Sequence, residues 1–244
     1  INSQMTLDFA YTLYLLLNND TTIERSQIKH YVAKWFVMST LTSRYTGSPE
    51  TQMDFDIKRI REKGFLPFFQ EVEEANLSDT FWNVRLVQLL ETQIINSPFF
   101  NVFLAAQIYK GNNALFCNGT KVGYLITLIG DVHHIFPKQY LRNNGYNEKI
   151  QYNQIANFTY LDTQVNKDIS DAAPNVYFTN AIKQCEEGNA RYGNITDLNC
   201  LKTNMAENCI PEQIVDMDYS DYPDFLIARR KLMAAKIKDY YYSL

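Results

Sequence analysis

The stretch GDVHHIFPKQYL, residues 130–141, decides how this chain is interpreted. It places two of the chain's three histidines side by side, as His133 and His134, after an acid at Asp131. On a regular strand the two rings would point to opposite faces, so that one packs inside and the other faces solvent. Pro137 ends the strand, and both rings can then approach one site at its frayed tip. The dipeptide alone leaves a packing role and a metal or catalytic role equally open.

The residues after the dipeptide predict a strand and a helix that carry further polar side chains. The segment IANFTYLD indicates a short strand over residues 158–161, with Asn157 at its start. Asp162 or Thr163 can cap a following helix, and Asn166 lies in that helix. The β-branched and aromatic run that precedes the histidines predicts the first strand, so the expected order is strand, loop, strand and helix.

These residue types suit the hydrolysis of a phosphodiester. A divalent metal ion needs two or three protein ligands and open positions for substrate oxygens, and His133 and Asn166 can supply two ligands. A neutral imidazole with a pKa of about 6.5 can take a proton from water at physiological pH, which is the role expected for His134. We therefore expect both imidazoles and the amide of Asn166 to converge on one cation.

Three motifs in order carry a family resemblance: DVHHIFPKQYL, IANFTYLD and VNKDISDAAP. Together they resemble the ββα-metal (HNH) nuclease signature, most closely the form in the C-terminal domain of GmrSD-type, modification-dependent restriction enzymes. The run KWFVMSTLTSRYTGSPETQMDFDIKRI and the closing run FLIARRKLMAAKI are also similar to that family. The resemblance covers most of the chain and is weakest over residues 185–221.

The resemblance implies a role for each residue of the candidate site. His134 matches the general base, and Asn157 matches the asparagine that props the loop and orients that base. His133 and Asn166 match the metal-binding positions. Asp131 is expected either to contact the metal or its water shell, or to orient the strand.

Basic residues near the motifs are candidates for contacts with DNA phosphates. They are Lys138, Arg142 and Lys167, and each could equally be a solvent-facing charge. Arg44 and Tyr45, in the upstream region, are expected to brace the helical frame. For the basic run at 229–231 we favour a solvated helix face.

The implied cofactor is one divalent metal ion. Because no third histidine lies near the site, Mg²⁺ or Mn²⁺ is favoured, although imidazole ligation also admits Zn²⁺ or Ni²⁺. The family's N-terminal nucleotide-dependent module is expected to be absent from this chain, which has no P-loop sequence.

The implied function is DNA cleavage or nicking in bacterial antiviral defence, as part of a restriction-modification system. The expected partner is DNA, including modified phage DNA, and the expected location is the cytoplasm. Two alternatives stay open: an RNA-cleaving or toxin-like nuclease with the same core, and a non-catalytic DNA-sensing interaction domain.

The composition is that of a globular protein with a net charge of −4, 46% hydrophobic and 20% charged residues. The charge argues against a protein that coats nucleic acid non-specifically. No apolar run approaches the roughly 20 residues that a membrane span requires. The four cysteines form no CxxC pair, so free thiols are expected, with a Cys185–Cys200 or Cys200–Cys209 bridge left open.

The predicted fold is mainly α (α+β): a helical body with an embedded ββα-metal core. The expected divisions are a helical subdomain at 1–111, the nuclease core at 112–184, and an irregular segment with a closing helix at 185–244 that packs back on the helical body. Local signals predict helix ends, including a capping box from Thr21 to Glu24 and a helix that Ser48 and Pro49 begin.

Overall fold

The computed structural model of the chain describes residues 4–128 and 132–244. Helices dominate these residues, and the strands among them form one two-stranded antiparallel sheet. The prediction of a mainly helical chain is therefore confirmed. Within the described ranges, no helix is both long enough and apolar enough to cross a membrane.

The N-terminal part of the chain is helical, with a π-helical turn at Phe81–Arg85 that leads directly into α5. Its helices are α1 (Gln4–Asn18), α2 (Arg25–Leu41), α3 (Pro49–Lys63), α4 (Phe65–Asn76), α5 (Leu86–Leu89) and α6 (Pro98–Tyr109).

The sheet lies in the second part of the chain, among short helices. The elements are α7 (Val122–Leu128), β1 (Val132–His134), α8 (Lys138–Asn143), α9 (Lys149–Tyr152), β2 (Phe158–Tyr160), α10 (Thr163–Ile169), α11 (Pro174–Glu187), α12 (Leu198–Glu207) and α13 (Tyr222–Ser243). Short 3₁₀ turns lie at Ile155–Asn157, Glu212–Asp216 and Tyr219–Asp221.

Several helix ends follow from local sequence signals. Pro49 is the first residue of α3, and Gly64 ends that helix with a φ of 82°. Asp162 caps α10, because its side chain accepts a hydrogen bond from the backbone N–H of Gln164. The helix starts at Pro49 and after Asp162 were predicted because each depends on one residue whose backbone or side-chain chemistry suits that position.

Two local predictions are wrong. The expected capping box does not form: α2 begins at Arg25, with Glu24 as its N-cap and no side-chain hydrogen bond there. Thr22 instead donates from its backbone N–H and its hydroxyl to Asp20. The β-branched run before the histidines folds as helix α7, because Val122 and Leu125, three residues apart, are both buried on one helix face.

The segment 185–221, predicted to be irregular, contains the end of α11 and all of α12. Asn204 of α12 is buried, and its side chain accepts from the N–H of Phe116 at 2.8 Å and donates to the carbonyl of Ala114 at 2.9 Å. A polar residue of this segment therefore holds backbone that is distant in sequence. Composition alone does not show whether such a residue binds backbone or faces solvent.

All four cysteines are free thiols, as expected, and neither of the bridges left open by the sequence forms. Burial is the main cause that raises the pKa of Cys117 to about 11. A thiol with so high a pKa stays protonated at neutral pH.

Two hydrophobic clusters fill the molecule, and α13 joins them. The first cluster surrounds Trp35 in the helical part and includes Met233 and Ile237 of α13. The second lies under the sheet and α8 to α12 and includes Phe225, near the start of α13. The closing helix therefore contributes side chains to both clusters.

The basic run on α13 is not a solvated face, which corrects the prediction for two of its three residues. Arg229 is 1% exposed and Arg230 is 8% exposed, whereas Lys231 faces solvent. The Arg229 guanidinium donates to the backbone carbonyls of Ala156 at 2.8 Å and Phe158 at 2.7 Å. Arg229 thereby ties α13 to the start of β2.

A buried carboxylate joins α3 to the segment that follows α2. Asp56 is 0% exposed and accepts hydrogen bonds from Arg44 at 2.8 Å, from the Tyr45 hydroxyl at 2.8 Å and from Gln52 at 2.9 Å. The indole N–H of Trp35 donates to the same Tyr45 hydroxyl. Arg44 and Tyr45 therefore lie in a network that braces the helical part.

We predict that Asp56→Asn destabilises the protein by about 3 kcal/mol, because the substitution leaves the largely buried Arg44 guanidinium without its anion. Urea unfolding measures the change. Glu62→Gln, which alters an exposed carboxylate of the same helix, is the matched control. Equal free energies of unfolding for the two variants would show that the Asp56 network does not stabilise the fold.

Candidate functional site

The two strands of the sheet carry the histidines and Thr159, and α10 follows the second strand along the chain. In the antiparallel register His133 lies opposite Thr159 and His134 lies opposite Phe158. Only two residues separate β2 from α10, so the helix that carries Asn166 begins beside the strand that carries the histidines. Burial alternates along β1, and His133 is the buried middle residue.

His133 and Asn166 meet across the strand and the helix. Nδ1 of His133 lies 2.6 Å from Oδ1 of Asn166. A carboxamide oxygen only accepts hydrogen bonds, so Nδ1 carries the proton and Nε2 holds the free lone pair. His133 is 5% exposed, and its buried Nε2 has no hydrogen-bond partner among the described residues.

The His133 ring is neutral at physiological pH. Burial is the largest cause that lowers its pKa to about 4. The charges of His134 and Arg229 lower the pKa further, whereas the hydrogen bond to Asn166 acts in the opposite direction. A neutral ring is the form that can act as a metal ligand.

His134 has a different set of neighbours. Its Nε2 lies 2.9 Å from Oδ1 of Asn153, and its ring packs edge-on against Phe158 at a centroid distance of 5.0 Å. Burial and the nearby charge of Lys138 lower the pKa of His134, against the opposing effect of the Asn153 hydrogen bond. The structure thus brings His133 and Asn166 together and gives His134 a partner of its own.

Asn157 holds the backbone that follows the histidines. Its fully buried side chain accepts from the N–H of Phe136 at 2.8 Å and donates to the carbonyls of Phe136 at 3.1 Å and Tyr152 at 3.2 Å. One carboxamide therefore fixes both the turn after β1 and the end of α9.

The three basic candidates lie at the surface in different places. Lys138, Arg142 and Lys167 are all exposed. The Nζ of Lys138 lies 5.4 Å from the centroid of the Tyr152 ring, close enough to His134 for its charge to act on that ring. Lys167 follows Asn166 on α10, and Asp131 lies outside the described residues.

Sequence reasoning missed two residues of this site. Asn153 contacts His134 from 19 positions along the chain, and Arg229 supports β2 from the closing helix. Neither residue belongs to a motif with fixed spacing. No pattern in the sequence indicated either contact, and the basic run that contains Arg229 was expected to face solvent.

The donor atoms at His133 and Asn166 fit a single cation with an open coordination shell. Among the described residues, no three His, Cys, Asp or Glu side chains gather as a metal site. Of the predicted metal residues that the structure describes, His133 and Asn166 face each other, with Nδ1 and Oδ1 2.6 Å apart. Neighbouring ligands of an octahedral ion with bonds of about 2.1 Å lie about 3 Å apart, so an ion bound by these two atoms requires the pair to widen and the ring proton to move from Nδ1 to Nε2.

Comparisons with known proteins assign no activity to this chain. No family model and no solved structure matches it. A protein of Methanocaldococcus jannaschii, named "Uncharacterized protein MJ0686", is 29% identical over 157 residues, which are 62% of this chain and 25% of that protein. The matched region is therefore about a quarter of the relative's length.

We predict that His133 makes the metal-free protein acid-sensitive between pH 6.5 and about 4, the ordinary and the folded-state pKa values of this ring. The unfolded chain takes up a proton first as the pH falls, so stability drops by about 3 kcal/mol across this range and this residue adds no further loss below it. Unfolding in EDTA at several pH values measures the slope.

His133→Asn should flatten that slope, whereas His30→Asn, which alters the histidine of α2, should leave it in place. A slope that is identical in wild type and His133→Asn would contradict the assignment.

Proposed function

We propose that this domain hydrolyses phosphodiester bonds of DNA with one divalent metal ion, as an HNH-type endonuclease. The observation that carries the proposal is the contact of His133 with Asn166 between β1 and α10, beside a second neutral imidazole at His134. The order of these elements and the loop held by Asn157 agree with the resemblance that the three motifs indicate.

His134 is proposed as the general base. With the carboxamide oxygen of Asn153 facing Nε2, that nitrogen carries the proton and Nδ1 offers its lone pair to water. Burial is the main cause that lowers the pKa of His134, and the lowered pKa favours the neutral ring, which is the form that can accept a proton. Asn153 and the edge-on contact with Phe158 restrain the ring while it accepts the proton.

His133 and Asn166 are proposed to hold the metal ion. A bound Mg²⁺ or Mn²⁺ would stabilise the charge that develops on the phosphate and on the leaving oxygen. The imidazole also admits Zn²⁺ or Ni²⁺. Two protein donors leave room for water and for substrate oxygens in the coordination shell.

The surface near the site offers cations for the DNA backbone. Lys138, Arg142 and Lys167 are exposed, and the charge of Lys138 acts on the proposed base. Such lysines and arginines position a phosphate without reading sequence. The family resemblance extends the proposal to bacterial defence against phage DNA, including modified DNA, together with a nucleotide-dependent N-terminal module.

We predict that His134→Ala lowers the rate of plasmid nicking by about 100-fold or more, since general-base catalysis contributes on this scale. The assay follows supercoiled plasmid in Mg²⁺ and in Mn²⁺. His30→Ala removes a histidine remote in sequence and should nick like wild type. Equal rates for wild type and His134→Ala would exclude this base, and parallel digestion of matched RNA separates DNA cleavage from RNA cleavage.

We also predict that Asn166→Ala raises the metal concentration needed for half-maximal nicking by about tenfold or more, because even indirect partners of a metal change its affinity by about 10–100-fold. Asn166→Asp keeps an oxygen donor and should need no more metal than wild type. Gln164→Ala, an exposed change on the same helix, is the control. An unaltered metal requirement in Asn166→Ala would remove this residue from the site.

A second candidate function is a non-catalytic DNA-sensing domain. The burial of His133, its proximity to the Arg229 charge and the separate partner of His134 favour this reading. It predicts DNA binding with intact plasmid at every metal concentration, in wild type and in His134→Ala alike.

A further inference from the structure

The groove between α1 and α2 presents an apolar surface to solvent, outside the residues assigned to catalysis. It has a volume of about 460 Å³ and is lined from α1 by Leu7, Tyr11 and Tyr14, and from α2 by Val32 and Phe36. Leu7 is 45% exposed, Tyr11 is 65% exposed and Tyr14 is 40% exposed. On each helix these residues recur three or four positions apart, so they form a stripe along it. A contiguous exposed apolar stripe is typical of a surface that meets a partner.

Helix α1 is apolar on two sides. On its inner side, Phe9 and Leu13 are buried in the first hydrophobic cluster. On its outer side, Leu7 and Tyr11 line the groove, and Asp8 is the one charged residue of this 15-residue helix. A helix that is hydrophobic all round is normally buried all round, so we expect the outer side of α1 to be covered in the assembled protein.

The face that contains the groove carries charges of opposite sign towards its two ends. The Phe9 ring, in the first half of α1, lies 5.8 Å from the Trp35 ring, in the second half of α2, so these consecutive helices run antiparallel. Lys29, early in α2, lines the groove beside the end of α1, whereas Asp8 is exposed on the first half of α1. Neither Lys29 nor Asp8 forms an ion pair with another described residue.

We propose that this face binds the same face of a second copy of the chain across a two-fold axis. An axis perpendicular to the groove at its midpoint reverses the direction of the groove, and so sets Asp8 of one copy against the partner's Lys29. This ion pair then occurs twice, with the apolar stripes packed between the two pairs. The two helix hairpins together form a four-helix arrangement. Ala10 and Ala33 also line the groove, and their small side chains leave room for those of the partner.

The charges favour a second copy over other occupants. Lys29 is the one charged residue that lines the groove, and Asp8 flanks the groove on α1. One acid and one base towards opposite ends make this face complementary to itself, because reversal of its direction brings unlike charges together. An anionic membrane surface would attract Lys29 but repel Asp8.

Sedimentation velocity of the whole chain in EDTA tests the proposal. At about 10 μM, wild type should sediment at twice the 28.4 kDa mass of one chain, as expected for an interface with a micromolar or lower dissociation constant. Tyr11→Asp places a charge within the apolar stripe and should raise that dissociation constant at least about 100-fold. Tyr124→Asp is the matched control, because it alters a tyrosine of similar exposure, 59%, on α7, and it should dimerise like wild type.

Exchange of the two charges tests the two-fold arrangement. Asp8→Lys sets two lysines against each other, and Lys29→Asp sets two carboxylates against each other, so each change should weaken the dimer about tenfold or more. The double variant restores unlike charges and should dimerise like wild type. Both residues are exposed, so the fold should persist, and circular dichroism checks it. A double variant that is no tighter than the single variants would contradict this arrangement.

A wild-type chain that stays monomeric at about 100 μM, or a dimer that Tyr11→Asp leaves unchanged, would overturn the proposal. A monomer that binds phosphatidylglycerol vesicles, and loses this binding in Tyr11→Asp, would also overturn it and would assign the face to a membrane surface. Because assembly is measured without metal or DNA, these outcomes do not depend on whether the chain cleaves DNA.

Discussion

The buried side chain of Asn157 is the constraint on which the arrangement of the site depends. It binds both backbone groups of Phe136 and the carbonyl of Tyr152, and thereby connects the turn after β1 to the end of α9. The carbonyls on either side of Asn157, at Ala156 and Phe158, accept from the fully buried guanidinium of Arg229. One amide and one cation therefore place both histidines, and removal of either would leave buried backbone groups unpaired.

This constraint separates the two histidines chemically. His133 is buried, neutral and bonded to Asn166 on α10, whereas His134 is half-buried and bonded to Asn153 after α9. The division suits a site in which one ring holds a metal ion and the other takes a proton from water. Among the described residues, each ring is held by the side-chain oxygen of an asparagine.

Helix ends that depend on one residue could be predicted from the sequence. Features that depend on contacts between residues far apart in the chain could not. The start of α3 at Pro49 and the cap at Asp162 depend on single residues, so the sequence indicated them. Helix α7 was taken for a strand because its β-branched residues are typical of strands, yet tertiary packing decided the outcome. Asn153 and Arg229 could not be assigned, because each acts on a partner far along the chain.

The central claim is that one metal ion binds between His133 and Asn166. Anomalous diffraction from crystals of the protein soaked in Mn²⁺ tests it most directly. The account predicts one anomalous peak about 2.1–2.3 Å from a ring nitrogen of His133 and from Oδ1 of Asn166. Saturating Mn²⁺ with no peak between these two side chains, and their hydrogen bond still closed, would contradict it.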